Sequence, residues 1–365
     1  MINYLKNFTK SLKEKSLKYK LLFALVLLLY IFAILSSVIT VNVFTNDDYT
    51  STTPGEVNKV NNVIKIDSNY ETGDIYTISV YSYRRLSLLQ YWLSLLNDDT
   101  DISVDYESEY SDEELHIQGT IMKDVSITNS IIVAFVEASK VNPDVSIDYS
   151  YEGYIIHTLD PNVKVLKQKD IITHIDGTEF NSKQEFQEFL LLKLKTNTKS
   201  INFTIKRDGK LKNVVVDVQQ RQEDGNIVRF IGMSGYSYYK INNTSHKYEI
   251  ENSLTTGPSG GLMQTIAVYN SLTKGDITNG KKIMGTGTIE VDSPDGFGSV
   301  GAIGGVEQKI VTADIYEADY VFIPSKNYND AITQYNKLKN PSYSTPIEAK
   351  TFSQVIAELQ KLGGK

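Results

Sequence analysis

Thr255-Thr256-Gly257-Pro258-Ser259-Gly260-Gly261-Leu262-Met263 is the stretch whose reading decides the fold of the last third of the chain. Its glycines permit a sharp bend and leave amide groups free to face a substrate oxyanion. A helix is expected to open directly behind the bend, with Leu262, Ile266, Tyr269 and Leu272 on one face. Farther on, Gly304-Gly305-Val306-Glu307-Gln308-Lys309 starts a second helix at glycine and carries a lysine into it. Between them Ile283–Ile289 reads as a strand bearing Thr286, and Tyr320–Pro324 returns as another strand. A serine in one glycine-rich turn and a lysine behind a second are what a Ser-Lys hydrolase needs, the lysine serving as the base that histidine provides elsewhere. Alone, the serine is an ordinary helix cap and the lysine a solvated charge; together in this frame they form a candidate dyad.

Two other motifs in the same region fail. Gly257-Pro258-Ser259-Gly260-Gly261 fits the G-x-S-x-G elbow of α/β-hydrolases, but that fold places its histidine after the nucleophile. All four histidines, His116, His157, His174 and His246, precede Ser259. Gly275 to Lys282 approaches a P-loop, but Lys282 replaces the hydroxyl that would ligate magnesium. Gly275 reads instead as a helix C-cap and Asn279-Gly280 as a hairpin turn.

Working outward, 365 residues suggest two or three domains. A net charge of −7 argues against a nucleic-acid partner, which would call for a basic face. The absence of cysteine excludes disulfides, thiolate metal sites and a cysteine nucleophile. Residues 1–20 form a basic tail with six lysines and one acid, and 21–44 carry no charge. As a helix that apolar run spans about 36 Å, enough to cross a bilayer. A cleaved signal peptide is the competing reading, but its apolar region is shorter and no A-x-A-like site follows. The lysines before the span, with Asp47 and Asp48 after it, place the N-terminus in the cytoplasm and the rest outside the cell, as a single-pass membrane protein.

Residues 45–150 read as a small extracellular α/β region. It begins with a polar linker (45–61), followed by strands at Val63–Ile66 and Ile75–Val80 and helices at Leu86–Leu96 and Ser126–Lys140. Asp98 to Glu114 is acidic, does not match an EF-hand loop, and is expected to be a solvated loop. From 151 to 222 the pattern changes. A short strand, Tyr154-Ile155-Ile156, follows Gly153, and a second ends at Asp176-Gly177. Next comes a helix from Ser182 to Leu192 capped by Ser182 with Glu185, then a hairpin of Ile201–Ile205 and Val214–Val218.

That order resembles a PDZ domain of the kind found in bacterial proteases. The matching residues are Gly153-Tyr154-Ile155-Ile156 for the peptide-carboxylate loop and Asp170-Ile171-Ile172-Thr173-His174-Ile175-Asp176-Gly177 for the signature strand. The first lacks the second glycine of the usual G-Φ-G-Φ form. The resemblance implies that Gly153, Tyr154, Ile155 and Ile156 bind extended peptide by strand addition at an open edge.

The stretch from Gly257 to Pro324 resembles the proteolytic domain of the Lon family, and is most similar to membrane-anchored, ATPase-free Gram-positive members that carry a PDZ domain. The resemblance implies an α+β multidomain chain: transmembrane helix (21–44), α/β region (45–150), PDZ-like domain (151–222) and Lon-type α/β proteolytic domain (223–365). It makes Ser259 the nucleophile and Lys309 the general base. Thr286 orients the lysine, and Gly257 and Gly260 support the turn. Gly260 stands where alanine is common, and Val291 to Ser299 is longer than the usual turn and is expected to reshape the substrate groove. The activity implied is ATP-independent endopeptidase cleavage of unstructured extracellular peptides or membrane-protein segments, with no cofactor or metal and with oligomers such as rings open to it. For the base to work, Lys309 must lose about 3 pKa units to burial, with Ile303, Val306 and Ile310 as its apolar neighbours. The competing class is a non-catalytic surface protein that binds peptide at the PDZ-like edge alone.

Overall fold

Strands far apart in sequence join in the sheet that carries the candidate site. The computed structural model describes residues 16–68, 70, 73–107, 109–251 and 255–363, so the basic tail up to residue 15 lies outside the described residues. The chain divides into two units: residues 1–53 with 81–108, and 54–80 with 109–365.

The first unit contains the helix Leu17–Val38, whose apolar side chains are exposed along its length and whose Ser16 hydroxyl accepts from the Tyr19 amide. The helix stops short of Phe44 because β-branched residues follow. Ile39 is extended, and Thr40 bridges Ser87 in a second segment. The expected linker is largely strand: Tyr49–Lys59 begins by pairing antiparallel with Asp101–Val104. The acidic stretch is therefore not one solvated loop. Within it Asp105 is buried and holds Arg84 at 2.9 Å. The helix Leu88–Leu95 opens on a capping box in which Ser87 and Gln90 satisfy each other's amides.

In the second unit Ile347–Ala349, Tyr320–Pro324, Lys282–Gly285 and Asp74–Tyr83 run parallel in that order. Parallel strands bury both faces. Ile75, Ile283 and Phe322 point to a core filled by the helices Gly261–Leu272, Asp112–Ser139 and Phe352–Leu362. Met284, Val321 and Ile323 point to the opposite layer, with Val306, Ile310 and Ala331. The expected boundary between 45–150 and 223–365 therefore does not exist: Lys282 to Gly285 pair with Asp74 to Thr77, and the long helix Asp112–Ser139 packs on Gly261–Leu272. That helix starts at Asp112, not Ser126, because Ser111 and Glu114 form a capping box there. It is apolar and long enough to span a bilayer, but its burial marks it as a core helix.

Inserted between these halves is a second sheet, in the order Met233–Thr244, Ile147–Leu159, Ile171–Ile175, Ser200–Arg207, Lys210–Asp217. Its own core gathers Ile156, Ile172, Phe186 and Phe203, with the helix Lys183–Lys195 contributing Phe186. Ser182 caps that helix, accepting from the Glu185 amide at 3.1 Å. Asp170 is buried and is held by both arms of the Arg207 guanidinium at 2.6 Å. The module thus extends past the expected limits of 151–222, to a strand ending at Thr244.

Candidate active site

Gly285 ends the strand that delivers Thr286 to the site. A side chain there would meet the Phe322 carbonyl oxygen and the Met263 sulfur at 2.7 Å, so this close crossing requires glycine. The next peptide clamps the serine turn. The Gly287 amide donates to the Ser259 carbonyl at 2.8 Å, the Leu262 amide donates to the Gly287 carbonyl at 2.9 Å, and the Thr286 hydroxyl donates to the Ser259 carbonyl at 3.1 Å. From the other side the long helix holds the same turn. The Ser126 hydroxyl donates to the Pro258 carbonyl at 2.9 Å, and the Gly257 amide donates to the Gly119 carbonyl at 2.9 Å. Gly257 itself sits at φ +87°, the left-handed region. The turn is fixed by at least five hydrogen bonds, yet Ser259 stays half-buried and accessible.

Gly305, at φ +66°, turns the chain into the helix Val306–Ile315. One turn later Lys309 points inward with only 2% of its surface exposed. Its amine donates to the Thr286 hydroxyl at 2.9 Å, and that hydroxyl passes its own hydrogen to the Ser259 carbonyl. Val306 and Ile310 are buried beside it in sequence, and Ile303 is half-buried. Burial lowers the Lys309 pKa from 10.5 to about 7, since desolvation penalises the charged form. An amine half-neutral near pH 7 is suited to accept a proton.

Ser259 lines a cleft of about 280 Å³ with Met122, Pro258, Ala302, Ile303 and Gly304. The cleft thus joins the serine turn, the long helix and the glycine entry to the lysine helix. Hydrogen bonds run from the Lys309 amine to the Thr286 hydroxyl and from that hydroxyl to the Ser259 backbone carbonyl. A Cβ on Gly260 would come to 3.1 Å from the Thr77 methyl, a contact that a small adjustment relieves. The contributions of Thr77, Met122 and Ser126 were not readable in the sequence, because nothing local ties them to residues so much later in the chain.

The expected peptide-binding residues fall elsewhere than predicted. Gly153, Tyr154, Ile155 and Ile156 lie inside the sheet, not at an open edge. Their strand pairs with Ile171–Ile175 on one side and with Met233–Thr244 on the other, Gly235 opposite Ile156 and Tyr238 opposite Gly153. Tyr154 stacks on Phe186 at 4.2 Å, and Ile155 packs with Ile121 and Val125. The two end strands of the sheet are Lys210–Asp217 and Met233–Thr244, the latter preceded by Gly232 at φ +75°. Gly232-Met233-Ser234-Gly235, which opens this strand, lies beyond the expected limit of 222 and has its two glycines three positions apart, not two as in the G-Φ-G-Φ form.

The long turn after Glu290 reaches this sheet. Asp292 accepts from the Ser237 hydroxyl at 2.5 Å and from the Lys183 amide at the start of the Lys183–Lys195 helix at 3.2 Å. Burial, reinforced by the Asp292 charge, holds the hydroxyls of Tyr151 and Tyr239 well above the usual tyrosine range.

Residues 132–218 match the family described as PDZ domain. Similar solved structures include the PDZ domain of the SdrC-like protein from Listeria monocytogenes, at 23% identity over 24% of this chain and 90% of that one, with a TM-score of 0.21. Another is the PDZ domain of the SdrC-like protein from Listeria innocua, at 21% identity over 24% of this chain and 97% of that one, also with a TM-score of 0.21. No curated protein matches the chain. The family match therefore identifies a PDZ domain within residues 132–218, in a mixed α/β chain that begins with an apolar helix.

Proposed function

We propose that the chain is a membrane-anchored, ATP-independent serine endopeptidase, with Ser259 as nucleophile and Lys309 as general base. The observation that carries this reading is the Lys309 amine, buried, brought to a pKa of about 7 by desolvation, and bonded to the Thr286 hydroxyl, which itself donates to the Ser259 carbonyl. A structural lysine gains nothing from such a place, whereas a base requires it.

In the proposed reaction the neutral amine takes the hydroxyl proton as Ser259 attacks a peptide carbonyl in the cleft. Backbone amides of the glycine-rich turn hold the oxyanion. Collapse breaks the peptide bond, Lys309 returns the proton to the leaving amine, and water then hydrolyses the acyl-enzyme by the same proton route. The resemblance of the glycine-serine and glycine-lysine segments to the Lon proteolytic domain supports the same assignment. The PDZ domain points to peptide partners, taken by strand addition at the outer edge of Met233–Thr244. With no ATPase motif in the sequence, the substrates are unstructured: secreted peptides, exposed tails or loops near the membrane. The apolar helix anchors the protein with its lysine-rich end in the cytoplasm and the site outside.

The test is cleavage of a diverse unstructured peptide pool by the full-length protein in detergent, without ATP, beside its Ser259→Ala twin, with products read by mass spectrometry. Cuts made only by the parent support the reading. If both folded proteins leave the pool intact, the dyad assignment is lost and a peptide-binding role for the PDZ domain remains.

A further inference from the structure

We propose that the strand Met233–Thr244 couples peptide occupancy of the PDZ sheet to the Ser259 cleft, with Asp292 as the link, so that a bound peptide raises the reactivity of Ser259. The proposal rests on the Ser259–Lys309 reading and on peptide addition at the outer edge of that strand.

Consecutive residues of the strand touch both frames of the site, because successive side chains of a strand point to opposite faces. Tyr236 and Tyr238 pack with Ile117, Ile121, Val125 and Ile155. Ile121 and Val125 belong to the long helix Asp112–Ser139. Interleaved with them, Gly119 and Ser126 hold the serine turn and Met122 lines the cleft. Between the two tyrosines Ser237 is buried on the other face and donates to Asp292 at 2.5 Å. Asp292 lies in the turn that joins Thr288–Glu290 to Ser299–Gly301. The first of these strands starts directly after Gly287, whose amide clamps the Ser259 carbonyl, and the second runs into Ala302–Gly304, which line the cleft.

The segment that makes these contacts is held from one side. Among the described residues Met233–Thr244 pairs only with Ile147–Leu159, and that pairing shifts register after Ser234, Tyr238 and Ile241. Two of the shifts bracket Tyr236-Ser237-Tyr238. A bulge disrupts the ladder locally, and an end strand offers a row of N–H and C=O groups for a further strand. A peptide paired along the outer edge supplies those bonds and fixes the three side chains. It binds the ordered strand better than the loose one, which is the difference in affinity that any such shift requires. The joint at Asp292 is adjustable. A single carboxylate oxygen, Oδ2, accepts both from Ser237 and, at 3.2 Å, from the Lys183 amide, and the turn behind it bends at Gly296, φ +103°, and Gly298, φ +70°. Fixing the strand thus fixes the turn, and with it both ends of the hairpin that adjoin Ser259. An extended substrate whose tail pairs with the strand is cut faster than the same sequence without its tail.

Labelling of Ser259 by a fluorophosphonate reads the site with a small reagent that carries no peptide. The full-length protein in detergent, shown folded by circular dichroism, is labelled alone and with each peptide that its Ser259→Ala twin retains from the unstructured pool. The expected result is that at least one retained peptide speeds labelling by about fivefold to a hundredfold. Asp292→Ala is expected to keep the slow peptide-free rate and the bound peptide but to lose the acceleration, and Ser237→Ala to lose the acceleration too. Asp292→Asn, which keeps an oxygen acceptor, is expected to retain much of it. Equal slowing of Asp292→Ala with and without peptide marks a merely structural residue and overturns the proposal, as does full acceleration in that variant. The proposal also falls if no peptide is retained, if retained peptides leave the parent's rate unchanged, or if all of them slow it by filling the cleft; labelling of the parent in these cases leaves the dyad standing. Absence of labelling in the folded parent removes the dyad reading, and this proposal with it.

Discussion

Lys309→Met should make the protein more stable at neutral pH while abolishing cleavage. The parent holds an amine of pKa about 7 where an unfolded chain has about 10.5. Below pH 7 both states are protonated and the folded state bears the whole penalty of a buried charge. Between pH 7 and 10.5 the unfolded state binds more protons than the folded one, so parent stability rises with pH; above 10.5 the penalty is gone. A shift of this size corresponds to about 5 kcal/mol well below pH 7 and about 4 kcal/mol at pH 7, falling from there by about 1.4 kcal/mol per pH unit. Methionine fills nearly the same volume without the charge. It also removes the hydrogen bond to Thr286, which takes back about 1 kcal/mol and leaves a net gain of about 3 kcal/mol at pH 7. Urea unfolding of both proteins in detergent, followed by circular dichroism from pH 7 to 10, measures the difference. A gain that stays constant with pH, or no gain at pH 7, refutes the claim that Lys309 is held neutral by burial.

Other outcomes follow from the same geometry. The parent's kcat/KM should climb as pH rises through about 7, where the amine loses its proton, and this limb of the profile should vanish with the activity in Lys309→Arg, whose guanidinium stays charged. Thr286→Val removes the acceptor of Lys309 and a donor to the Ser259 carbonyl; kcat should drop by about tenfold to a hundredfold, with a smaller change in KM, in a protein that still unfolds cooperatively. Gly285→Ala has to displace the Phe322 backbone or Met263, and should lower stability by about 1–3 kcal/mol in the same urea assay. Asp292→Ala leaves the Ser237 hydroxyl and the Lys183 amide without their acceptor; increased amide exchange at the start of the Lys183–Lys195 helix would register the loss.

The local punctuation of this fold was legible. Asp208-Gly209 turns the expected hairpin between Arg207 and Lys210, both residues at positive φ; Asn279 and Gly280 also take positive φ, but the expected hairpin is not there, because the strand that follows, Lys282–Gly285, is paired in parallel. Ser182 caps the helix it was expected to cap. The serine, threonine and lysine of the candidate site were legible for a related reason: each follows or adjoins a glycine that marks its own bend. Pairing was not. Tyr49–Lys59 reads as a linker because it is rich in Ser, Thr, Pro and Gly, yet it lies beside Asp74–Tyr83 in the sheet. Gly55 is needed there because a side chain would come to 2.6 Å from the Ser79 carbonyl oxygen. Met233–Thr244 was missed similarly: its partner strand begins at Ile147, and no short-range pattern links them. Asp292 has meaning only through Ser237 and Lys183, which no spacing rule connects.

The split sheet has a consequence for the order in which the chain acquires its shape. Asp74–Tyr83 leaves the ribosome early, but the strand it pairs with, Lys282–Gly285, follows more than two hundred residues later. At about 5–20 residues per second that is a delay of roughly 10–40 s. The PDZ sheet, by contrast, is complete in one continuous run ending at Thr244, before Ser259 has been made. The PDZ sheet can therefore form while the rest is still being synthesised, and the cleft can close only after Ala302–Gly304 and the strands behind them have been made. A nascent chain carries the PDZ sheet before Ser259 and Lys309 exist, so under the proposed function it has no assembled dyad with which to cut its neighbours, or itself, during its own biogenesis.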